Sequence, residues 1–153
     1  MAEYLPSETA SIVFELDPDA YTTSDGTSGI LTSDAVDMQN FRNLMVIVQA
    51  GTFGTSASLA VVLRESSSSN GTFTSITGKA ITALTEAGAD DDKQAVINLD
   101  DSELTYRWAQ IQSTLTVGAL DYAITGLGFK PRYTDAVITT AYGDLASVDE
   151  IVT

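Results

Sequence analysis

The sequence contains neither cysteine nor histidine in its 153 residues. Their absence excludes a Ser-His-Asp triad, a Cys-His pair, a zinc finger, a His-ligated haem and a disulfide framework. Because these residues are also the commonest catalytic groups, we expect a protein that is not an enzyme and that binds no cofactor. The sequence therefore predicts no catalytic, cofactor-binding or metal-binding residues.

Positive charge and long hydrophobic runs are scarce as well. Lys and Arg number 7 against 21 Asp and Glu, which gives a formal net charge of −14. Such a chain repels phosphate backbones, so we expect no direct contact with nucleic acid. The longest apolar run covers residues 44–48, far short of a membrane span, and residues 1–6 lack the basic and apolar regions of a signal peptide. We therefore expect synthesis in a cytoplasm and no membrane contact.

Hydroxyl residues are abundant, with Ser and Thr together accounting for 35 residues. Thr favours strands and Ser favours turns, and no segment has the pattern of a long helix. Alternating apolar residues predict seven strands, at 11–16, 41–50, 58–65, 72–76, 94–99, 105–114 and 120–130. Short strands separated by turn residues are typical of an antiparallel β-sandwich or barrel.

The length predicts one domain, which we divide into an N-terminal arm (1–10), a β-sandwich (11–133) and a C-terminal arm (134–153). The C-terminal arm carries apolar residues that have no obvious place in a seven-stranded core. We expect these side chains to be buried in an oligomer. They are Val137, Ile138, Tyr142, Leu145, Val148 and Ile151.

Several local patterns refine this prediction. The first strand should place Ile12, Phe14 and Leu16 on one face and end at Asp17-Pro18-Asp19. The strand at 41–50 is apolar on both faces, which predicts a central strand covered on both sides. Residues 79–89 allow one or two helical turns or an extended connection. Gly126 and Gly128 indicate a bulge or a close approach of backbone.

Acidic clusters are the first candidate sites. Asp90-Asp91-Asp92 could hold Ca²⁺, but EF-hand spacing is absent and a solvated turn explains the run equally. Asp17, Asp19 and Asp25 form a second, sparser set with the same two interpretations. Asp100-Asp101 reads as a turn at a strand end. Among so many acids, nothing in the sequence selects a pair for glycosidase chemistry.

Aromatic residues are the second kind of candidate. Tyr106 and Trp108 lie two residues apart, so on a strand they would share a face and could stack against a sugar. The alternative is burial in the core or in an interface. Arg107 should point to the opposite face and pair with an acid.

Two remaining motifs indicate turns. The segment Gly26-Thr27-Ser28-Gly29 lacks the Lys and the strand-to-helix context of a phosphate loop. The serine run 66–69, followed by Asn70-Gly71, is typical of a hairpin tip.

A series of short phrases, taken in order, resembles a known group of proteins. The phrases are Asn43-Leu44-Met45-Val46-Ile47-Val48, Gly51-Thr52, Leu63-Arg64-Glu65-Ser66, Asn70-Gly71-Thr72-Phe73-Thr74-Ser75-Ile76, Tyr106-Arg107-Trp108-Ala109-Gln110-Ile111 and Gly126-Leu127-Gly128-Phe129-Lys130-Pro131-Arg132-Tyr133. Their order over residues 11–133 resembles the decoration, or cement, proteins of tailed-bacteriophage heads.

The resemblance implies a jelly-roll-like β-sandwich bound to the outer surface of a capsid as a homotrimer. Its partners would be the major capsid protein and further copies of itself, and its location would be the virion. Head fibres and tail proteins share similar phrases, so a fibre or tail role stays open. A carbohydrate-binding β-sandwich module using Tyr106, Trp108 or Tyr122 is the second alternative.

Overall fold

The computed structural model describes residues 9–132, which form two antiparallel sheets and their connections; nothing is described of 1–8 and 133–153. Most of the predicted N-terminal arm and the whole C-terminal arm lie outside the described residues. Ten strands and two 3-10 helices follow one another along the chain. They are β1 (Ala10–Thr22), β2 (Ile30–Thr32), β3 (Val36–Asp37), β4 (Phe41–Phe53), β5 (Ser58–Ser66), β6 (Thr74–Ala80), β7 (Leu84–Thr85), a 3-10 helix (Glu86–Gly88), β8 (Gln94–Asp100), a second 3-10 helix (Asp101–Glu103), β9 (Trp108–Thr116) and β10 (Ala119–Pro131).

The strand order is that of a jelly roll. One sheet runs β1-β10-β4-β8, and the other runs β2-β9-β5-β6, with β3 beside β9 and β7 beside β5. All of these pairs are antiparallel. When β2 with β3, and β6 with β7, are each taken as one interrupted strand, every neighbour in a sheet follows the double Greek key of a jelly roll. The predicted antiparallel, jelly-roll-like β-sandwich is confirmed.

Alternate side chains from both sheets form a single core. Val46 and Val48 of β4 and Leu59 and Leu63 of β5 are fully buried, as is Ile111 of β9. The alternating apolar residues that predicted strands at 41–50, 58–65, 94–99 and 120–130 therefore supply the inward positions of β4, β5, β8 and β10. Burial of each side chain of this size contributes about 1.5–3 kcal/mol to the free energy of unfolding, relative to the same side chain left exposed.

The first strand differs from its prediction in two ways. A register shift between Ile12 and Phe14 turns these residues to opposite faces, because Ile12 pairs with Leu127 whereas Phe14 pairs with Gly126. The expectation that both lie on one face was wrong. The strand also continues to Thr22, since a second irregularity between Leu16 and Asp19 accommodates Pro18, which has no N–H to donate.

Other strand boundaries also differ from those predicted from the sequence. Between the first two predicted strands, 11–16 and 41–50, the structure has β2 and β3, which are short strands with little periodicity of their own. Residues 79–89 form no α-helix, because β6 runs to Ala80 and β7 precedes a single 3-10 turn. The strand β9 begins at Trp108 rather than at residue 105.

The two glycines of β10 lie where aromatic rings approach the backbone. A Cβ added to Gly126 would come within 2.5 Å of the Phe14 ring, and one added to Gly128 within 2.7 Å of the Phe41 ring. Both rings are almost completely buried. The close approach predicted for these glycines is confirmed, and the close neighbours are side chains of β1 and β4.

We expect Gly126→Ala to lower the free energy of unfolding by about 1–3 kcal/mol, because the buried Phe14 ring must move to make room. Thr125→Ala changes the neighbouring outward position and should stay within about 0.5 kcal/mol of wild type. Urea unfolding followed by Trp108 fluorescence measures both. Equal stability of the two variants would contradict the packing described here.

Candidate functional site

The loops and adjoining strand ends at one end of the sandwich carry eight of the fifteen carboxylates among the described residues. The loops connect β1 to β2, β4 to β5, β7 to β8 and β9 to β10. We call this end the acidic end. Its carboxylates, with those of the adjoining strand ends, are Asp17, Asp19, Asp25, Glu86, Asp90, Asp91, Asp92 and Asp121, and Lys93 is the cation among them.

The carboxylates of the Asp90–Asp92 run accept hydrogen bonds from backbone. Asp90 Oδ2 accepts from Thr85 N at 2.9 Å, and Asp91 Oδ1 accepts from Phe53 N at 2.8 Å. Asp92 has a φ of 57° and donates its own N–H to the Gly51 carbonyl. These bonds close the β7–β8 connection and join it to the end of β4, so the geometry is that of a structural turn. Within residues 9–132, no group of His, Cys, Asp or Glu side chains is arranged to hold a metal ion.

The second acidic set is also used locally. Asp25 Oδ2 accepts from the amide and the hydroxyl of Thr22, at 2.6 and 2.9 Å, and closes the turn after β1. Asp19 Oδ1 accepts from Ala20 N. The Asp17 carbonyl accepts from the Tyr21 hydroxyl. Asp19 and Asp25 thus bond backbone close to them in sequence. Burial, and then the negative charges of Asp17, Asp19 and Asp25, raise the pKa of the Tyr21 phenol.

A buried tyrosine lies behind this acidic set. Tyr122 lies 4.6 Å from Tyr21 between ring centroids, and its hydroxyl is 2.9 Å from the buried Ser113 Oγ. Burial raises the pKa of the Tyr122 phenol. This residue, considered above for sugar stacking, belongs to the core and offers no free ring face at the surface.

The opposite end of the sandwich carries most of the cations. They are Arg42, Arg64, Lys79, Arg107, Lys130 and Arg132. Lys79 pairs with Glu103 at 2.7 Å, Arg107 pairs with Asp37, and Arg132 pairs with Asp101. Among the described residues, acids accompany the cations at this end, so the charges of residues 9–132 nearly balance here and are mainly negative at the acidic end. We call this end the paired end.

The aromatic platform predicted from Tyr106 and Trp108 does not form. Tyr106 precedes the strand, so the two rings do not share a strand face. Arg107 pairs with Asp37, as expected, but its guanidinium also lies 5.3 Å from the centroid of the Trp108 ring. A cation over an aromatic face is a favourable contact that covers that face. The expectation that Arg107 points away from Trp108 was wrong, because β9 has not yet begun at residue 107.

A buried carboxylate that sequence reasoning missed holds this region in place. Glu65 is 8% exposed, and its Oε2 accepts from Thr105 N at 2.7 Å and from Tyr106 N at 2.8 Å. The signal for it was present: Leu59, Val61 and Leu63 point inward, and Glu65 is the next residue in that alternation. An acid at an inward position requires a partner.

The remaining motifs take the turn conformations predicted for them. Gly26 and Gly29 both have positive φ, at 59° and 77°, in the loop before β2. The serine run lies at the tip of the β5–β6 hairpin, where the Ser66 side chain is buried. Asp100 caps the 3-10 helix that follows it, in a capping box with Glu103. The predictions of turns at these sites are confirmed.

Two shallow depressions lie on the outer side of the β1-β10-β4-β8 sheet. The larger, of about 550 Å³, is lined by residues that include Asp19, Gln49 and Asp121. The smaller, of about 280 Å³, is lined by residues that include Met45, Asn98 and Phe129. Both are open to solvent, and their linings mix apolar side chains with amides and carboxylates, without a nucleophile placed beside a base.

Comparison of this sequence with known proteins assigns it to no family. No protein-family model matches the sequence, and no curated protein matches it. Among solved structures, the chain is similar to one from Broad Bean Stain Virus, with a TM-score of 0.42, 8% identity and coverage of 85% of this chain and 90% of that one. It is also similar to one from naturally occurring empty particles of Cowpea mosaic virus, with a TM-score of 0.41, 11% identity and 86% coverage of each chain.

No helix between residues 9 and 132 is both long enough and apolar enough to cross a bilayer.

Removal of the Glu65 carboxylate should destabilise the paired end. We expect Glu65→Ala to lower the free energy of unfolding by about 1–3 kcal/mol, since two backbone donors lose their acceptor. Glu65→Gln retains a side-chain carbonyl that can still accept from the two amides. Its free energy of unfolding should therefore fall by about half as much. Urea unfolding measures the difference, and identical losses for the two variants would show that the acceptor is not the cause.

Acid should weaken the Asp100 capping box. The pKa of Asp100 is lowered mainly by hydrogen bonds from the hydroxyl and the amide of Ser102, and to a smaller extent by one from Asn43. The pKa of Glu103 is lowered mainly by a hydrogen bond from the Asp100 amide, and to a smaller extent by one from Lys79. A carboxyl group whose pKa is lowered on folding stabilises the folded state at pH values above its ordinary pKa. This stabilisation is lost as the pH falls through the lowered pKa. We expect the melting temperature to fall between about pH 5 and pH 3, and to fall less in Asp100→Asn. Parallel curves for the two proteins would contradict this.

Proposed function

We propose that this chain is a structural virion protein: a decoration, or cement, protein on the outer surface of a tailed-phage head. In this role it stabilises the shell through contacts with the major capsid protein and with copies of itself, as a homotrimer. The role is mechanical and requires no turnover of a substrate.

The jelly-roll strand order is the observation that carries the proposal. The architecture occurs in viral capsid proteins, lectins and cupins, so by itself it does not assign a function. A cupin metal site relies on histidine, which this chain lacks. A lectin-like role would need a platform of accessible rings. Tyr106 is 46% exposed, but it precedes β9 and shares no strand face with Trp108. Arg107 covers one face of Trp108, and Tyr122 is in the core. Among these classes, the capsid role agrees with the decoration-protein phrases at residues 11–133.

The use of polar groups supports a structural role. Carboxylates of the acidic loops accept backbone hydrogen bonds, as Asp90, Asp91 and Asp25 do. Among the described residues, every buried side-chain nitrogen and oxygen has a hydrogen-bond partner. Polar groups engaged in this way stabilise loops, and they are not poised for chemistry.

The charge distribution suggests how the protein sits on a shell. The acidic end repels other acidic surfaces and keeps the free protein soluble before assembly. Among the described residues, the charges at the paired end nearly balance, and both described chain ends, at Ala10 and at Pro131, lie there. We propose that the paired end faces the shell and that the arms 1–10 and 134–153 contact neighbouring chains.

Co-sedimentation tests the proposal. Purified protein is mixed with shells of the phage that encodes it, prepared without this protein, and pelleted through a cushion. We expect saturable binding at a fixed ratio to the major capsid protein and a higher temperature of shell rupture. Double-stranded DNA in place of shells should retain none of the protein, because the chain carries a charge of −14.

Two results would overturn the proposal. One is the absence of binding to mature shells under conditions in which the protein is folded. The other is a gold label on the chain that appears at a fibre or tail in electron micrographs, which would move the protein to that alternative.

A further inference from the structure

The tip of the β5–β6 hairpin is a motif to which the proposed function assigns no role. Residues 67–72 of this tip are exposed, whereas Ser66 and Phe73 on either side of it are buried. The tip consists of three serines, then Asn70-Gly71 and a threonine. Exposed tips made of small, polar residues are where a folded chain is most open to attack from solvent.

Few hydrogen bonds hold this tip in one conformation. Gly71 N–H donates to the Ser68 carbonyl at 3.2 Å, and Ser68 N–H donates to Ser66 Oγ at 3.4 Å. Both bonds are long for an N–H donor and an oxygen acceptor. Within residues 9–132, the Asn70 carboxamide has no hydrogen-bond partner, so its Cγ can turn towards the backbone nitrogen of Gly71.

An asparagine that precedes glycine can react with its own backbone. The nitrogen of the glycine attacks Cγ of the asparagine, a C–N bond forms, and the side-chain nitrogen leaves as ammonia. Water then opens the resulting succinimide ring at one of its two carbonyls. The product is either aspartate or isoaspartate, in which the backbone runs through the side-chain carbon. Glycine favours ring closure because it has no Cβ to obstruct the attack and because its backbone turns freely.

The other three asparagines of the chain lack these conditions. Each precedes a large apolar residue that is buried, in the pairs Asn40-Phe41, Asn43-Leu44 and Asn98-Leu99. Asn43 and Asn98 lie inside β4 and β8, where strand pairing holds the backbone, and Asn40 is itself buried. Asn70 is therefore the one asparagine that combines an exposed carboxamide, a following glycine and a position outside any strand.

Two serine hydroxyls lie against Gly71. A Cβ added to Gly71 would come within 2.5 Å of Ser66 Oγ and 2.7 Å of Ser68 Oγ, so only glycine fits here without a shift of the tip. A hydroxyl can both accept and donate a proton. These hydroxyls lie beside the residue whose nitrogen must lose a proton as the ring closes, and proton transfer by a positioned group speeds such a step.

We propose that Asn70 is a site of spontaneous deamidation. Each event replaces a neutral carboxamide by a carboxylate and adds one negative charge to a chain that already carries −14. The new charge lies at the paired end, because Ser66 pairs with Trp108 at the start of β9. The isoaspartate product also lengthens the backbone of the tip by one atom. Because the reaction consumes only water, the modified fraction rises with the age of the protein.

One consequence of the modification deepens the proposed function and rests on it. In that proposal the paired end faces the shell, and the charges of the described residues nearly balance there. An added carboxylate that is desolvated at such a contact weakens it. We therefore expect newly made protein to bind shells more tightly than aged protein does.

Peptide mapping of the full chain tests the site itself, without shells. The protein is incubated in neutral and in mildly alkaline buffer and then digested with trypsin; a sample digested at once gives the zero time point. Cleavage after lysine and arginine places the four asparagines in four different peptides: 1–42, 43–64, 65–79 and 94–107. We expect only peptide 65–79 to gain the mass difference between an amide and an acid, and to do so faster at the higher pH, since the deprotonated nitrogen is the nucleophile. Enzymatic methylation of isoaspartate should label the same peptide.

Two variants and a synthetic peptide separate the causes. Asn70→Gln keeps the carboxamide but would require a larger ring, so it should release no measurable ammonia. Gly71→Ala keeps Asn70 and should slow the reaction at least about tenfold, because a Cβ obstructs the attack. A synthetic peptide of residues 65–79 gives the rate without the fold. The folded chain should react within about tenfold of that rate, because only the bond from Gly71 to Ser68 must break.

Co-sedimentation with shells tests the consequence separately. Asn70→Asp carries the charge of the product, and Asn70→Gln is its neutral control. We expect Asn70→Asp to raise the dissociation constant for shells about tenfold relative to Asn70→Gln, with an unchanged circular dichroism spectrum.

A folded chain whose peptide 65–79 keeps its mass while the synthetic peptide reacts would overturn the proposal. A gain of mass spread over the other asparagines would do so as well. Equal binding of Asn70→Asp and Asn70→Gln to shells would refute the consequence and leave the site in place. Shells that bind neither variant nor wild type would contradict the proposed function, whereas the peptide map, which contains no shell, would still stand.

Discussion

The packing of alternate side chains into one layer between two sheets is the constraint on which the rest of this structure depends. Phe14 and Phe41 lie directly against the backbone of β10, and this is possible because residues 126 and 128 are glycines. The layer and the strand ladders hold the sandwich without help from the loops. The loops can therefore be polar and contain few cations, and the loops at the two ends can differ in charge.

Carboxylates are used here mainly as acceptors for backbone donors. Glu65 holds the chain before β9, Asp91 joins the β7–β8 loop to the end of β4, and Asp100 caps a 3-10 helix. An ionised carboxylate accepts stronger hydrogen bonds than a neutral acceptor does. This explains how a chain with so many acids can fold without a matching number of cations.

The two sheets share one core but differ in their outer faces. Gln110 and Gln112 lie on the outer side of one sheet, whereas Met45, Ile47 and Val96 lie on the outer side of the other. Among the described residues, the two outer faces and the two ends of the sandwich therefore differ in polarity and in charge.

The sequence by itself determined the fold class, the inward faces of β4, β5, β8 and β10, and the turns at Asp100 and at the serine run, because alternation and turn propensity are local properties. Only the tertiary structure decided the face of Ile12, the length of β1, the strands β2, β3 and β7, the position of Arg107 over Trp108 and the role of Glu65. A bulge inverts a face without changing composition, and short edge strands exist only because β9 or β5 pairs with them. The partners of Arg107 and Glu65 lie tens of residues away along the chain, and only folding brings them into contact.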